Sequence, residues 1–539
     1  DALPPAMIRQ SLPAVFLLFA ASPGTSLAGQ DPSNNIWNSA QRGQFENVRD
    51  LLDGNPALRD ARDDDQRTPL HLATRYGHLD IVKLLLARGA APDLAAYNQF
   101  TPLHMAVHFN RRQILDLLLQ QQVDVNAKTS FGLRVVDLAA RDNRPQLLER
   151  LLERGAADTL YVAACRGDLQ RTKELLKPAG TTVTREALLQ AIRRGHAEVS
   201  AALLPRLRNP QMMMNMVLHP VLFEATEHVA VVQALIAAGE DPAERADQQG
   251  MTRIESGATV LHVAAARGHL ETVSHLLTLD AFTDRDVASL SGRTPAHEAA
   301  AAGHLSSLQA LHKHGASLVA TDKRGRTCVH FAAEAGQAKV LLWLVQQGKV
   351  LHGHDDAGRS ALALATKGIH PTEKRVKQRI EAAWVLVRHG VPVDLTSAAV
   401  IGDTASAKAL LESEPELAKA KGLLVRAISF GSKDIVALLL DAGCDVNTHD
   451  ERKTSALHWC ALWRQPACAQ LLIDRGADVH ASNKFGYTPL HDAARANCAP
   501  VAKLLLAADA NPDALDKEGK APRQHLNSYS SEEIRTLLK

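Results

Sequence analysis

Residues 67–93 read RTPLHLATRYGHLDIVKLLLARGAAPD, and the placement of their helix breakers decides the architecture. Thr68 is a good N-cap, and Pro69 a good first helical residue because its fixed φ suits the turn and its missing N–H is not needed there. Leu70 and Ala73 fall on one face at i, i+3 spacing, with Ala small enough to admit a neighbouring helix. Gly77 can adopt the left-handed conformation that ends so short a helix. A second helix then carries Ile81, Val82, Leu85 and Leu86 inward, and Gly89 closes it. Asp93 and the residues after it lead through a hairpin into whatever follows. Two helices this short cannot bury enough apolar surface alone, so the pattern predicts stacked copies sharing one core.

The copies are present. Thr68-Pro69-Leu70-His71 returns 33 residues later as Thr101-Pro102-Leu103-His104, and variants begin at Thr259, Thr294, Thr327, Ser455 and Thr488. In period and in its TPLH turn the unit resembles the ankyrin repeat. That resemblance implies an all-α ankyrin-repeat solenoid with short β-hairpin loops. A second marker finds the worn copies: a helix-ending Gly stands eight and nine positions before a Leu pair. Gly43, Gly77, Gly167, Gly195, Gly268, Gly402 and Gly431 all obey it. Asn110 and Asn497 replace the glycine, as the next residue type able to adopt that conformation. Counting such units predicts roughly sixteen helix-turn-helix copies, caps included.

The array is interrupted in places. Repeats with an N-terminal cap fill 34–158, degenerate copies lacking the TPLH turn fill 159–248, and clear copies resume over 249–395 and 396–539, the last with a C-terminal cap. A short insertion, Met251 to Ser256, precedes Thr259. A longer basic one, 367–379 (KGIHPTEKRVKQR), sits between the two helices of one unit. Ahead of the repeats, residues 1–33 are expected to be a signal-peptide-like leader. It reads from Met7 with Arg9 as its positive region, Leu12 to Ala21 as an apolar run and Ser26-Leu27-Ala28 as a small-residue cleavage site. The apolar run is too short to span a bilayer. Export to a periplasmic or extracellular space is the expectation, with a cytoplasmic chain as the alternative.

Composition narrows the function. Lys plus Arg number 61 against 59 Asp plus Glu, so there is no global electrostatic footprint for nucleic acid or membrane. The six cysteines form no CxxC pair and read as buried thiols acting as small hydrophobes. Of 24 histidines, seven occupy the fourth position of the TPLH-type turn, and His78, His196, His269 and His304 follow the helix-ending Gly. Both sets read as structural. The residual candidate for a metal is His352-Gly-His354-Asp355-Asp356, where Asp355 already sits at a position the repeat reserves for Asp. The cluster Met212 to Met216 reads as adaptable packing. No P-loop, GxSxG, HExxH or strand-linked GxGxxG is present, and no catalytic residue, metal ligand or cofactor is assigned.

The resemblance implies a non-enzymatic scaffold that binds a protein partner on a concave face, made of hairpin tips and the exposed ends of the first helices. Carried over position by position, those sites hold Arg75, Tyr76, Tyr97, Asn98, Phe100, His108, Phe109 and Phe131 near one end. Arg324, Trp463, Lys484, Phe485 and Tyr487 hold them further along. Aromatics are only 4% of the chain, yet five crowd the first group. Aromatics and Arg dominate interface energetics, so two binding patches are expected. The chain is expected to be a monomer, without nucleic acid and without a membrane span. Two rivals stay open: an enzyme or metal-binding protein with an unrecognised site, and nucleic-acid binding through the basic insertion.

Overall fold

The computed structural model describes residues 35–539 except 178, 180, 208–220, 247–254, 349–352, 368–374 and 528. The leader, the Met212 to Met216 cluster, His352 and the middle of the basic insertion lie outside the described residues.

The chain divides into two compact units, the first ending at Glu240 and the second beginning at Asp241. In the first, helices follow one another in short antiparallel pairs: Ile36–Arg42 with Phe45–Gly54, Pro69–Tyr76 with Leu79–Ala87, Pro102–His108 with Arg112–Leu118, and Val135–Arg141 with Pro145–Glu153. Leu160–Arg166 with Leu169–Leu176 and Thr181–Arg193 with Ala197–Leu207 continue the series through the degenerate stretch. The second unit pairs Val260–Arg267 with Leu270–Leu276 and runs in the same manner to Pro489–Arg495 with Ala499–Ala507, ending on Glu532–Leu537. Within each unit, the first helix of each pair packs on the first helix of the next. Among the described residues there is no strand; the expected hairpin loops are turns, with single bridges at Lys128–Arg134, His354–Ser360 and His449–Ser455. No described helix is long and apolar enough to cross a membrane.

The TPLH turn works as a cap. Nδ1 of His71 accepts the Thr68 amide at 3.1 Å. Its Nε2 therefore carries the proton and donates to the Phe100 carbonyl, one unit on, at 3.0 Å. His262, His458 and His491 repeat both bonds, to the carbonyls of Arg293, Tyr487 and Lys520. Each of these imidazoles thus closes its own helix and ties it to the next unit. Where Asp137 replaces the histidine, its carboxylate accepts the Arg134 amide at 2.9 Å and the Thr159 hydroxyl at 2.6 Å.

The helix ends lock in a second way. Gly43 has φ +75°, and a Cβ there would stand 2.6 Å from Cε1 of His78. That ring donates from Nε2 to the Gln41 carbonyl at 2.9 Å. The left-handed conformation therefore turns an orphan carbonyl, and the missing side chain leaves room for the next unit to bond it. Asn110, Asn143 and Asn497 take the same conformation at φ 52–54°. Arg464 adopts it too, at φ 55°, an unusual choice for a long side chain.

Leu70, Ala73, Val82 and Leu85 are fully buried, as the pattern of residues 67–93 requires; Leu86 is only half-buried, against the edge of the core. All six cysteines are unpaired, and five of them, Cys165, Cys328, Cys460, Cys468 and Cys498, are buried.

Candidate interaction surface

Each tip folds over the residue five positions before the helix N-cap. Asp63 accepts the amides of Asp65 and Arg67, Asp322 those of Arg324 and Arg326, Asp450 those of Arg452 and Thr454, and Asn483 those of Phe485 and Tyr487. Adjacent tips then join by one backbone bond, as in Tyr97 N–H to Asp65 C=O at 3.0 Å and Ser130 N–H to Asn98 C=O at 2.9 Å. Lys323 to Ser291, Asp356 to Arg324 and Lys484 to Arg452 continue this pattern in the second unit. Side chains on the tips thus stand on backbone already fixed before any partner arrives, which lowers the ordering cost of binding.

In the first unit Tyr76, Tyr97 and Phe131 are exposed, Arg75, Asn98, His108 and Phe109 are half-buried, with Phe109 packed against the core edge, and Phe100 is buried. Tyr97 is 66% exposed and Phe131 55%, on neighbouring tips, with Asn98 between them at φ 59°. At the helix ends, the Arg75 guanidinium lies 5.4 Å from the centre of the Tyr76 ring and 5.3 Å from that of Phe109, a cation–π contact with each. His108 is held by Asp142, Nδ1 to carboxylate 3.1 Å, and Arg141 bonds the other carboxylate oxygen at 2.7 Å. Burial works against the Asp142 charge, but the bonds from His108 and Arg141 outweigh it and hold the carboxyl below its usual range.

Phe100 is the exception. It is only 4% exposed and belongs to the core, so it leaves the surface patch. The reason is its register. The residue directly before the N-cap gives its carbonyl to the histidine of the previous unit, and this fixes it against the stack. The residues three and four before the cap project outward.

In the second unit Arg324 and Lys484 are exposed and Phe485 is 54% exposed. Tyr487 is half-buried and braced by neighbours. The Arg495 guanidinium sits 4.8 Å from its ring centre, and His525 meets it edge-on at 5.2 Å. Trp463 stacks on Trp459, with ring centres 6.2 Å apart and planes 14° from parallel. Trp459 escaped the sequence reading because it stands inside the helix, just after the turn histidine. Its i, i+4 spacing from Trp463 in so aromatic-poor a chain is the signal that finds it. Phe331 follows the turn histidine in the same way but is buried in the core, with Arg293 and Arg326 4.5 and 4.3 Å from its ring.

The titratable clusters make local bonds. Asp355 spends its carboxylate on the amides of Ala357 and Arg359 and on the Arg359 guanidinium. Burial opposes its charge, yet those bonds hold it at about 2. His491, Asp516 and His525 are the one group of three possible metal ligands among the described residues. Both nitrogens of His491 are hydrogen-bonded, and His525 Nε2 bonds Asp516 at 2.7 Å, which links the three residues into one network. In the basic insertion, Val376–Arg388 is already helix, and Arg379 caps the preceding helix through the carbonyls of Leu364, Ala365 and Lys367. Within the basic insertion, Arg379 thus spends its guanidinium on the end of the preceding helix.

The family described as Ankyrin repeats (3 copies) matches residues 36–129, 222–322, 395–483 and 424–516, together more than half of the chain. The chain belongs to the ankyrin-repeat family. Over 61 residues, 11% of its length, this ankyrin-repeat chain is 43% identical to Ankyrin repeat domain-containing protein 49 of Homo sapiens, covering 26% of that protein. Over 55 residues it is 47% identical to Serine/threonine-protein kinase VIK of Arabidopsis thaliana, covering 12% of it. Over 58 residues it is 43% identical to the Transient receptor potential cation channel subfamily A member 1 homolog of Caenorhabditis elegans, covering 5%. The ankyrin-repeat chain thus spans about a quarter or less of the length of these relatives, and the likeness to each extends over a stretch of fewer than two repeats.

Proposed function

We propose that this ankyrin-repeat protein is a non-enzymatic scaffold that binds a protein partner with its tips and the ends of its first helices. The observation that carries the reading is the pair Tyr97 and Phe131, two large aromatics left 66% and 55% exposed on tips whose backbones are bonded to one another. Aromatic rings on a preorganised backbone pay little entropy on binding and supply much of an interface's energy. Arg75, Tyr76 and Phe109 extend the surface onto the helix ends, and Arg324, Trp463, Lys484, Phe485 and Tyr487 form its counterpart in the second unit. The protein acts as a monomer after export, the leader at residues 1–33 being removed near Ala28.

Capture of a partner by the immobilised full chain, read by mass spectrometry, tests the reading. Tyr97→Ala and Phe131→Ala, or Phe485→Ala for the second patch, should abolish or sharply weaken capture, with Lys83→Ala on a second helix as the silent control. If Lys83 matters and none of the aromatics does, the partner uses the other face and the reading is wrong. N-terminal sequencing of protein recovered from outside the cytoplasm tests export; an intact leader in a cytoplasmic fraction overturns that part.

A further inference from the structure

The tips of the second unit differ in charge from those of the first, and the difference points to a kind of partner. On the three successive tips at residues 450–454, 483–487 and 516–520, every carboxylate has a hydrogen-bond or ion-pair partner. Asp450 accepts the amides of Arg452 and Thr454. Asp516 accepts the amides of Glu518 and Lys520 and pairs with His525. Glu451 pairs with Lys421 at 3.3 Å, and Glu518 with Lys520 at 2.8 Å. The cations are not used in return. Arg452, Lys453, Lys484 and Lys517 are exposed and make no ion pair with any described residue. Backbone bonds from Lys484 to Arg452 at 2.8 Å and from Lys517 to Phe485 at 3.1 Å hold these tips side by side. The 54% exposed Phe485 stands among them, next to Tyr487.

We infer that this edge binds an acidic segment of a partner protein, whose carboxylates meet Arg452, Lys453, Lys484 and Lys517 and whose apolar side chains meet Phe485. The inference rests on the scaffold reading and adds the chemistry of the partner. The five cations of these tips outnumber their four carboxylates, and the four cations without an ion pair are the charges left for a partner to meet, so the edge selects an acidic complement. A polypeptide fits better than a nucleic acid. Glu451 and Glu518, 85% and 65% exposed, stand beside the cations and would repel the even charge of a phosphodiester backbone, whereas a peptide can place discrete carboxylates between them.

The test pans a phage-displayed library of random 16-residue peptides on the immobilised full chain. Selected peptides should be enriched in Asp and Glu with one or more aromatic or aliphatic residues. A fluorescein-labelled synthetic copy of one should lose affinity by on the order of tenfold or more in the variant Arg452→Glu, Lys484→Glu. It should weaken again as salt rises from about 0.05 to 0.5 M. Lys83→Glu, on a second helix of the first unit, should leave binding unchanged, and melting temperatures check that each variant folds. Selected peptides that are neutral or basic, or acidic ones indifferent to the charge reversal, overturn the inference while leaving the scaffold reading standing. Tighter binding of a single-stranded oligonucleotide or of vesicles containing anionic lipid than of the acidic peptide overturns it as well. Failure of the library to yield any binder, together with failure to capture a partner, defeats both.

Discussion

The imidazole of His78 occupies the space that a side chain on Gly43 would need, 2.6 Å from where its Cβ would lie. The two residues are 35 positions apart and belong to successive helix pairs. Gly43→Ala should therefore cost more than backbone strain. Gly89, at the same φ of +75° but with nothing within 4 Å, isolates the strain. Gly89→Ala should cost about 1–2 kcal/mol, and Gly43→Ala about 1 kcal/mol beyond that through the lost bond from His78 to Gln41. In a His78→Ala background the excess should vanish, and denaturant melts of the four proteins would show it. An excess that persists without His78 would mean the glycine is required for its conformation alone.

The buried turn histidines make stability depend on pH. Burial lowers His71, His104, His262 and His297 to about 4, from an ordinary value near 6.5. The unfolded chain then binds protons that the folded chain refuses. Their contribution is whole above about pH 6.5 and is lost progressively as pH falls toward about 4. Asp492, raised by burial to about 6, works in the opposite sense, as do Asp93, Asp137, Asp286 and Glu298, which burial also raises; His330, His458 and His491, lowered by burial as well, add to the four histidines. Thermal melts from pH 7.5 to 4.5 should show a steep fall in Tm. In His71→Gln, which cannot be protonated, the fall should be shallower. Equal slopes would mean that the imidazoles stay solvated enough to titrate freely.

Exposure and burial separate two aromatics that stand close together in the sequence. Phe100→Ala should destabilise by about 3–5 kcal/mol, as truncation of a buried aromatic does, and should lower Tm whatever its effect on binding. Tyr97→Ala should leave Tm within a degree or so, since surface changes usually fall inside ±0.5 kcal/mol, and should act only on affinity. A stable Phe100→Ala protein would return that residue to the surface patch.

The Trp459–Trp463 stack offers an optical check on the first helix of its unit. Two indoles 6.2 Å apart and nearly parallel should couple in the near-ultraviolet circular dichroism, and Trp459→Phe should remove the coupled signal while sparing the helix. An unchanged spectrum would mean that the rings do not stack in solution.

Much of this was legible because the repeat uses residues with few alternatives. Thr, Pro and His at the cap, and Gly or Asn at the helix end, each answer a backbone demand that few other residues meet, so Thr68, Gly77 and Asn110 could be read one by one. The surface was less legible because tip residues are chosen by register within a turn rather than by type. Phe100 and Phe131 are the same residue two positions apart in register, and that offset alone sends one into the core and leaves the other in water. The capping role of Arg379 was not legible either, because only the three carbonyls around it in the fold distinguish it from its basic neighbours. Trp459 was missed because a helix interior ordinarily means core.

The buried thiols give the molecule a set of built-in clocks. Burial pushes Cys165 and Cys328 up to about 12 and Cys468 to about 11, so neither access nor ionisation favours attack while the helices around them stay closed. A thiol reagent can therefore reach each one only during an opening of its own neighbourhood. Cys444, only half-buried, should react first and mark time zero. Mass spectrometry of the partially labelled native chain would then rank local opening at Cys165, Cys328, Cys460, Cys468 and Cys498 without a single engineered probe. It would reveal whether the array opens from its ends or from its worn middle.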